Sequence, residues 1–303
     1  MSELTDISYW NGLPYSTSPN TSGIDYALLA LKSPQGIIIR ASLGIQEDLR
    51  FPQNYAKLKE RDVPLGAYHY LLDDINGAWQ AEAFLTALSG RTFTLPLVVD
   101  CEDNSAGLSK AVLSARIKLF IDTVHSARPS DQIMIYTRAS WWNDNVGNPA
   151  WAKNYPLWIA RYTTWPKPWG NPGDASWVKP NSWDTYYLWQ YSADENRLGA
   201  EYGVLSGAID LNRYGPDFIP PDPDPIPDPQ PSAFTLTAQV QNQSVRTGPS
   251  TTYPKVDALA EGADYAVYDV EVEGAYRVWA RLSPVDQPPK WAAIVHNATV
   301  YLK

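Results

Sequence analysis

Eight short apolar runs punctuate residues 6–214, and they run on rather than alternating apolar with polar positions. They are DISYW (6–10), GIIIRASLG (36–44), PLGAYHYLL (64–72), PLVVDCED (96–103), QIMIYTRAS (132–140), PLWIARY (156–162), YYLWQYS (186–192) and GAIDLNRY (207–214). A strand covered on one face alternates, whereas an unalternated run is covered on both, as in a parallel sheet under helices. Helical patterns fall between the earlier runs. Ser109 can cap a helix whose Leu113, Ile117, Phe120, Ile121 and Val124 share one face. Asn76 precedes a second, with Ala81, Leu85 and Leu88 on one side and Gly90 as its stop, and Pro52 opens a third through Leu58. Residues 24–31 form a weaker fourth. Strand and helix in this order predict an α/β fold closed into a TIM-like barrel, with an open doubly wound sheet as the alternative. The pattern fades after the fifth run. Residues 163–185 are loop chemistry and the 193–206 link is short and polar, so helices should be reduced there.

The stretch IPPDPDPIPDPQPS cannot continue either kind of element, because proline removes donors and fixes φ. It reads as an extended spacer. The expected organisation is a barrel over residues 1–218, a linker over 219–232 and a small all-β module over 233–303.

Charge and composition exclude several classes. A net charge of −9 with no basic run argues against a nucleic-acid partner. Cys101 is the one cysteine, and His69, His125 and His296 are far apart, so nothing calls for a metal or other cofactor. No apolar run approaches the length of a membrane span. The opening MSELTDISYWNG lacks a basic segment followed by an apolar core, so synthesis in the cytoplasm without a secretory signal is expected. Thirteen Trp and nineteen Tyr against six Phe favour flat rings with polar tips, which suit sugar stacking or a polar-edged core.

LPLVVDCEDN (95–104) carries the chemistry: a run that reads as buried ends in three acids. In a parallel barrel the site lies at the carboxyl ends of the strands. Asp100 and Glu102 are two apart and share one side, while Cys101 turns to the helices. Asp6, with Ser8 and Trp10 on its face, and Asp210, with Asn212 two further on, belong to the first and last strands. Four acids at one mouth repel one another, and repulsion with burial raises at least one pKa, which is the requirement for a general acid. His69 follows Tyr68 and faces oppositely, as a core histidine would. Trp141, Trp142, Trp165, Trp169, Trp177 and Trp183 fall in loop-like sequence at the acidic end, where stacking on glycan rings competes with simple packing.

DISYWNG, IIIRASLG, NYAKLKERDVPLGAYHYLL, PLVVDCED, IYTRASWW, LWIARY, LWQYS and AIDLNRY, in this order, resemble the family-25 glycoside hydrolases. These are lysozymes (N-acetylmuramidases) of the Chalaropsis type, including phage endolysins. The resemblance covers residues 4 to about 218 and implies a (β/α)5β3 barrel. It implies Glu102 as catalytic acid, Asp100 as its partner, and Asp6 and Asp210 as two further site acids. It also places Tyr68 and Tyr136 beside the substrate, which Trp10 and Asn212 join by their position. The implied partner is bacterial cell-wall peptidoglycan, reached after release from the producing cell. The implied reaction is hydrolysis of the β-1,4 bond after N-acetylmuramic acid. Residues two apart on a strand are separated by roughly 6.6 Å, between the spacings of retaining and inverting pairs. Participation by the substrate's 2-acetamido group, assisted by Asp100, is the preferred route, and direct attack by Asp100 competes with it. The chain departs from the family pattern in two places: Thr5 replaces a frequent Gly, and Ser42-Leu43 replaces the Thr-Glu of K-A-T-E-G. A non-hydrolytic glycan-binding protein and a barrel glycosidase acting on chitin are the alternatives.

VRTGPSTTYPKV, EGADYAVYD, YRVWARL and the final TVYL are similar to the bacterial SH3-like domain, which implies a wall-binding module. Tyr253 and Trp291 are its candidate groove residues, with core packing as the competing expectation.

Overall fold

The computed structural model describes residues 4–12, 23–162, 179–193, 198–204, 207–215, 234–272, 277–284, 289–296 and 299–300. The linker and Trp165, Trp169 and Trp177 lie outside them.

The barrel strands are β1 (Leu4–Ile7), β2 (Ile37–Leu43), β4 (Leu65–Tyr70), β5 (Leu97–Asp100), β6 (Ile133–Thr137), β7 (Leu157–Ala160), β8 (Leu188–Ser192) and β9 (Asp210–Tyr214). The two-residue β3 (Gln46–Glu47) folds back on β2. The order β1-β9-β8-β7-β6-β5-β4-β2 closes through β1 pairing with β2, so eight strands form a complete ring. The all-parallel expectation fails at one place. β9 is antiparallel to both β8 and β1. An antiparallel pair needs no crossover helix, and among the described residues between them only a 3-10 turn, Gly199–Tyr202, intervenes.

Among the described residues five α-helices surround the ring: α1 (Tyr26–Lys32), α2 (Phe51–Lys59), α3 (Gly77–Ala87), α4 (Lys110–Ala127) and α5 (Ala139–Asn145). Asp25, Asn76 and Ser109 cap α1, α3 and α4 through side-chain oxygens. Gly77 opens α3 where a Cβ would lie 2.2 Å from the Arg116 carbonyl, so glycine permits the close α3–α4 crossing. No α-helix follows α5 among the described residues, and none of the helices is long and apolar enough to cross a membrane.

Strand alternation divides the apolar residues into two cores. Ile37, Ile39, Leu97, Val99, Ile133 and Ile135 face the helices, whereas Leu4, Ile38, Val98, Met134, Trp158 and Leu188 fill the barrel interior. The tryptophan-rich stretch after β6 is not the loop its sequence suggests. Trp142 lies on α5, fully buried, with Trp183 packed 4.9 Å from it. Their indole N–H groups donate to Ser182 Oγ and the Tyr155 carbonyl. Neither ring is free to stack on a sugar.

The C-terminal β region has a two-stranded sheet, β10 (Phe234–Thr237) with β13 (Asp264–Val267), and a second sheet. The latter runs β12 (Lys255–Leu259), β11 (Gln243–Arg246), β16 (Trp291–His296), β15 (Arg277–Arg281), β14 (Asp269–Val272), with β17 (Thr299–Val300) on β16. Tyr253 and Trp291 are both buried, the first against Gly248 and the second at the start of β16. The groove expected of them is packing instead.

Candidate active site

Along β5 the period of two places Val98 inward, Val99 outward and Asp100 inward again. The chain then leaves the sheet with Cys101 buried among the outer apolar residues and Glu102 on the trough. A buried strand ends in acids because the barrel opens there. The trough is lined by Asp6, Asp100, Glu102 and Asp210 together with Ser8, Trp10, Arg40, Tyr68, Tyr136 and others. All four acids expected at the mouth therefore meet on one trough. Asp6 stands opposite Asp210 in the β1–β9 register, and Asp100 stands between Tyr70 and Tyr136 on β4 and β6.

Asn212 does not line the trough. It is fully buried, accepts from Trp158 Nε1 at 2.8 Å, and donates to Asp6 Oδ2 at 2.8 Å and to the Leu4 carbonyl. The cause is strand direction. β9 starts at the mouth and runs inward, so two residues beyond Asp210 the chain is level with Leu4, below the trough. Asn212 holds Asp6 instead of touching a ligand.

Gln190, the strand residue whose facing LWQYS leaves ambiguous, points inward. Its Oε1 accepts from Tyr136 at 2.7 Å, and its Nε2 donates to Asp6 Oδ2 at 3.0 Å and reaches Asp210 Oδ2 at 3.5 Å. Two amide donors on one Asp6 oxygen leave that oxygen without a lone pair for a proton in the same plane. Trp189 faces the outer core, its indole N–H on the Arg161 carbonyl. The trough also contains a cation that strand patterning flags only as a charge within an apolar run. Arg40 Nε donates to Asp48 Oδ2 at 2.6 Å, and Asp48 accepts from the Tyr9 and Arg50 amides. Asn11, Tyr70, Trp158 and Tyr162 complete the lining missed by sequence reading.

Electrostatics follow from burial. Asp100 is 6% exposed, and its carboxyl is pushed well above the usual range by desolvation, then by the Glu102 and Asp6 charges, against the pull of Arg40 and Arg138. Its Oδ1 has no hydrogen-bond partner. Glu102 is less buried; desolvation raises it and Arg138 lowers it. Both carboxyls are thus raised, Asp100 by the Glu102 charge as well as by burial. Burial likewise keeps the phenols of Tyr68, Tyr70 and Tyr136 protonated, and pushes Tyr162 up to about 12. Arg138 is exposed. Replacing it by alanine removes the group that favours ionised Glu102, so the alkaline limb of the activity–pH profile should move to higher pH, and less so in high salt.

His69 is not part of the trough. A one-residue bulge after Arg40 sets Ser42 beside it, with Ser42 Oγ 2.8 Å from Nδ1 and Gln80 Oε1 3.2 Å from Nε2. Gln80 Nε2 donates to the Leu72 and Ile75 carbonyls, so its Oε1 is the acceptor. His69 Nε2 therefore carries the proton, and Ser42 donates to Nδ1. The serine that departs from the family pattern completes a sealed core network. Among the described residues no cluster of three His, Cys, Asp or Glu side chains is placed to hold a metal ion.

A closed barrel with four acids, protonated tyrosines and an exposed Trp10 at one mouth is the arrangement of a glycoside hydrolase. The sequence model of glycosyl hydrolases family 25 matches residues 5–200, and the chain belongs to that family. Lysozyme M1 of Streptomyces globisporus is 28% identical over 218 residues, 69% of this chain and 66% of that protein. The N,O-diacetylmuramidase of Arthroderma benhamiae is 29% identical over 59% of this chain and 75% of its own length. The crystal structure of the bacterial lysozyme from Streptomyces coelicolor superposes with a TM-score of 0.55 at 27% identity, covering 70% of this chain and 91% of that one.

Proposed function

We propose that the chain is a muramidase: it hydrolyses the β-1,4 bond between N-acetylmuramic acid and N-acetylglucosamine in bacterial peptidoglycan. The observation that carries this is the placement of Asp100 and Glu102, with Asp6 and Asp210, on one open trough, where burial favours the protonated form of both members of the pair. Glu102, the less buried member, meets the leaving oxygen and protonates it. Asp100, ionised once the proton has moved to Glu102, orients and polarises the N–H of the 2-acetamido group, whose carbonyl oxygen attacks the anomeric carbon. The glycosidic bond breaks as the cyclic oxazolinium forms. Glu102, now a carboxylate, takes a proton from water, which opens the ring with overall retention. Asp6, held by Gln190 and Asn212, and Asp210 stabilise the positive charge that develops at the sugar ring.

Purified peptidoglycan and chitin oligomers, digested in parallel and read by mass spectrometry, test the assignment. New muramic-acid reducing ends are expected. Cleavage of chitin alone, or of neither polymer, rejects it.

In the same reading, residues 1–218 are the catalytic unit, 219–232 the spacer and 233–303 an SH3-like module that holds the enzyme at the wall. The protein is made in the cytoplasm and acts on the wall once released. Tethering to an insoluble polymer raises local concentration without altering the trough. Removal of residues 219–303 should weaken binding to whole walls by tenfold or more, on the order expected for loss of a linked site, while cleavage of soluble muropeptides changes little. Pull-down and release assays measure the two.

A further inference from the structure

Arg281, at the end of β15 in the C-terminal region, is fully buried. One of its terminal nitrogens donates to both oxygens of Asp25, at 2.9 and 2.7 Å, and Asp25 belongs to the barrel. The rest of the guanidinium is also occupied: Nε donates to the Ser283 carbonyl at 3.1 Å, and Trp291 lies 6.0 Å from it. Asp25 is equally committed. It accepts from the Leu28 amide as the cap of α1, and its own N–H donates to the Gly203 carbonyl at 2.7 Å. A second pair crosses the same way with reversed polarity: Arg61, just past α2, donates to Asp269 Oδ2 at 2.7 Å. Asp269 and Arg281 are direct cross-strand partners on β14 and β15. Each half of the chain thus presents one acid and one arginine, and each finds its complement on the other.

An arginine without solvent exposure needs a carboxylate, because an unpaired charge at that depth is strongly unfavourable. A module swinging freely on a proline-rich spacer would leave Arg281 and Asp25 to water and gain nothing from their mutual fit. Opposed polarity at two adjacent points also sets one orientation, since a half-turn would bring like charges together. We propose that the C-terminal β region docks on the α1–α2 face of the barrel through the crossed pairs Asp25–Arg281 and Arg61–Asp269, so that both halves move as one body. The inference does not depend on what either half binds. Where the wall-binding reading also holds, docking makes the module a fixed mount rather than a loose tether.

Small-angle scattering of the intact chain tests it against the double variant Asp25→Asn/Asp269→Asn. Asparagine at position 25 still caps α1, so the substitutions remove charge and leave the local fold. The wild type should scatter as a single compact particle at about 0.15 M salt, and the variant should show a larger radius of gyration and longest dimension. Calorimetry should show the variant's two halves still folded but melting less cooperatively with each other. Should the double variant not fold, Asp269→Asn alone, at the half-buried pair, is read in the same way. A wild-type profile that fits only a spread of separations overturns the proposal, and so does a folded variant as compact as the wild type.

Discussion

Glu102→Gln should lower peptidoglycan turnover by about 10²- to 10⁴-fold, the range for loss of a positioned general acid, with wall binding close to wild type. Glutamine keeps the shape of the side chain and cannot deliver the proton. The loss should shrink on a muramyl glycoside with a phenolate leaving group, which departs without protonation. Folding should not suffer. Glu102 raises the Asp100 carboxyl by repulsion, so neutralising it relieves the site, and the melting temperature should equal or exceed that of the wild type. A variant that retains more than a tenth of wild-type turnover on native peptidoglycan removes Glu102 from the role of acid. A variant that melts lower shows that the carboxylate is part of the fold rather than a cost borne for chemistry.

How much of this was legible in the sequence depended on what spacing can report. The D-x-E at the end of an unalternated run announced two carboxylates on the inner side of a strand end, and both line the trough. Asp6 and Asp210 were found for the same reason. Asn212 was misplaced because spacing reports side and not depth: the reversed direction of β9, invisible in a list of apolar runs, carries it below the mouth. Gln190 was ambiguous because LWQYS is buried on both faces, and only closure of the ring tells which face is the interior. Trp142 and Trp183 read as loop aromatics because both fall between the apolar runs in stretches without a helical repeat, whereas a short helix and mutual packing bury both. Arg40 does carry a signal in the sequence. One charge in a run that reads IIIRASL faces either solvent or a partner, and here Asp48 supplies the partner.

The second large effect concerns acid and His69, and it should appear as a difference between two proteins. His69 is fully buried between Phe84 and Phe120, and desolvation lowers its pKa to about 3 from the ordinary 6.5. The unfolded chain binds a proton there below about pH 6.5, whereas the folded chain stays neutral until about pH 3. Stability contributed at this position is therefore complete above the unfolded pKa and is lost steadily as pH falls toward the folded one. At one pKa unit for 1.36 kcal/mol, the loss between pH 7 and pH 4 is about 3 kcal/mol. The raised carboxyls of Asp25, Asp100 and Glu102 act in the opposite sense, since the folded state takes up their protons first. A wild-type curve alone mixes the two. His69→Leu separates them, because the carboxyl contributions are common to both proteins. Leucine leaves the Ser42 hydroxyl without its partner, removes one of the two donors to Gln80 Oε1, and should be less stable at pH 7. By pH 4 that deficit should close or reverse by about 3 kcal/mol, measured by urea unfolding at both pH values. A deficit that stays constant from pH 7 to pH 4 would mean that the folded protein protonates His69 as readily as the unfolded chain does, and the sealed Ser42–His69–Gln80 network would have to be open to water.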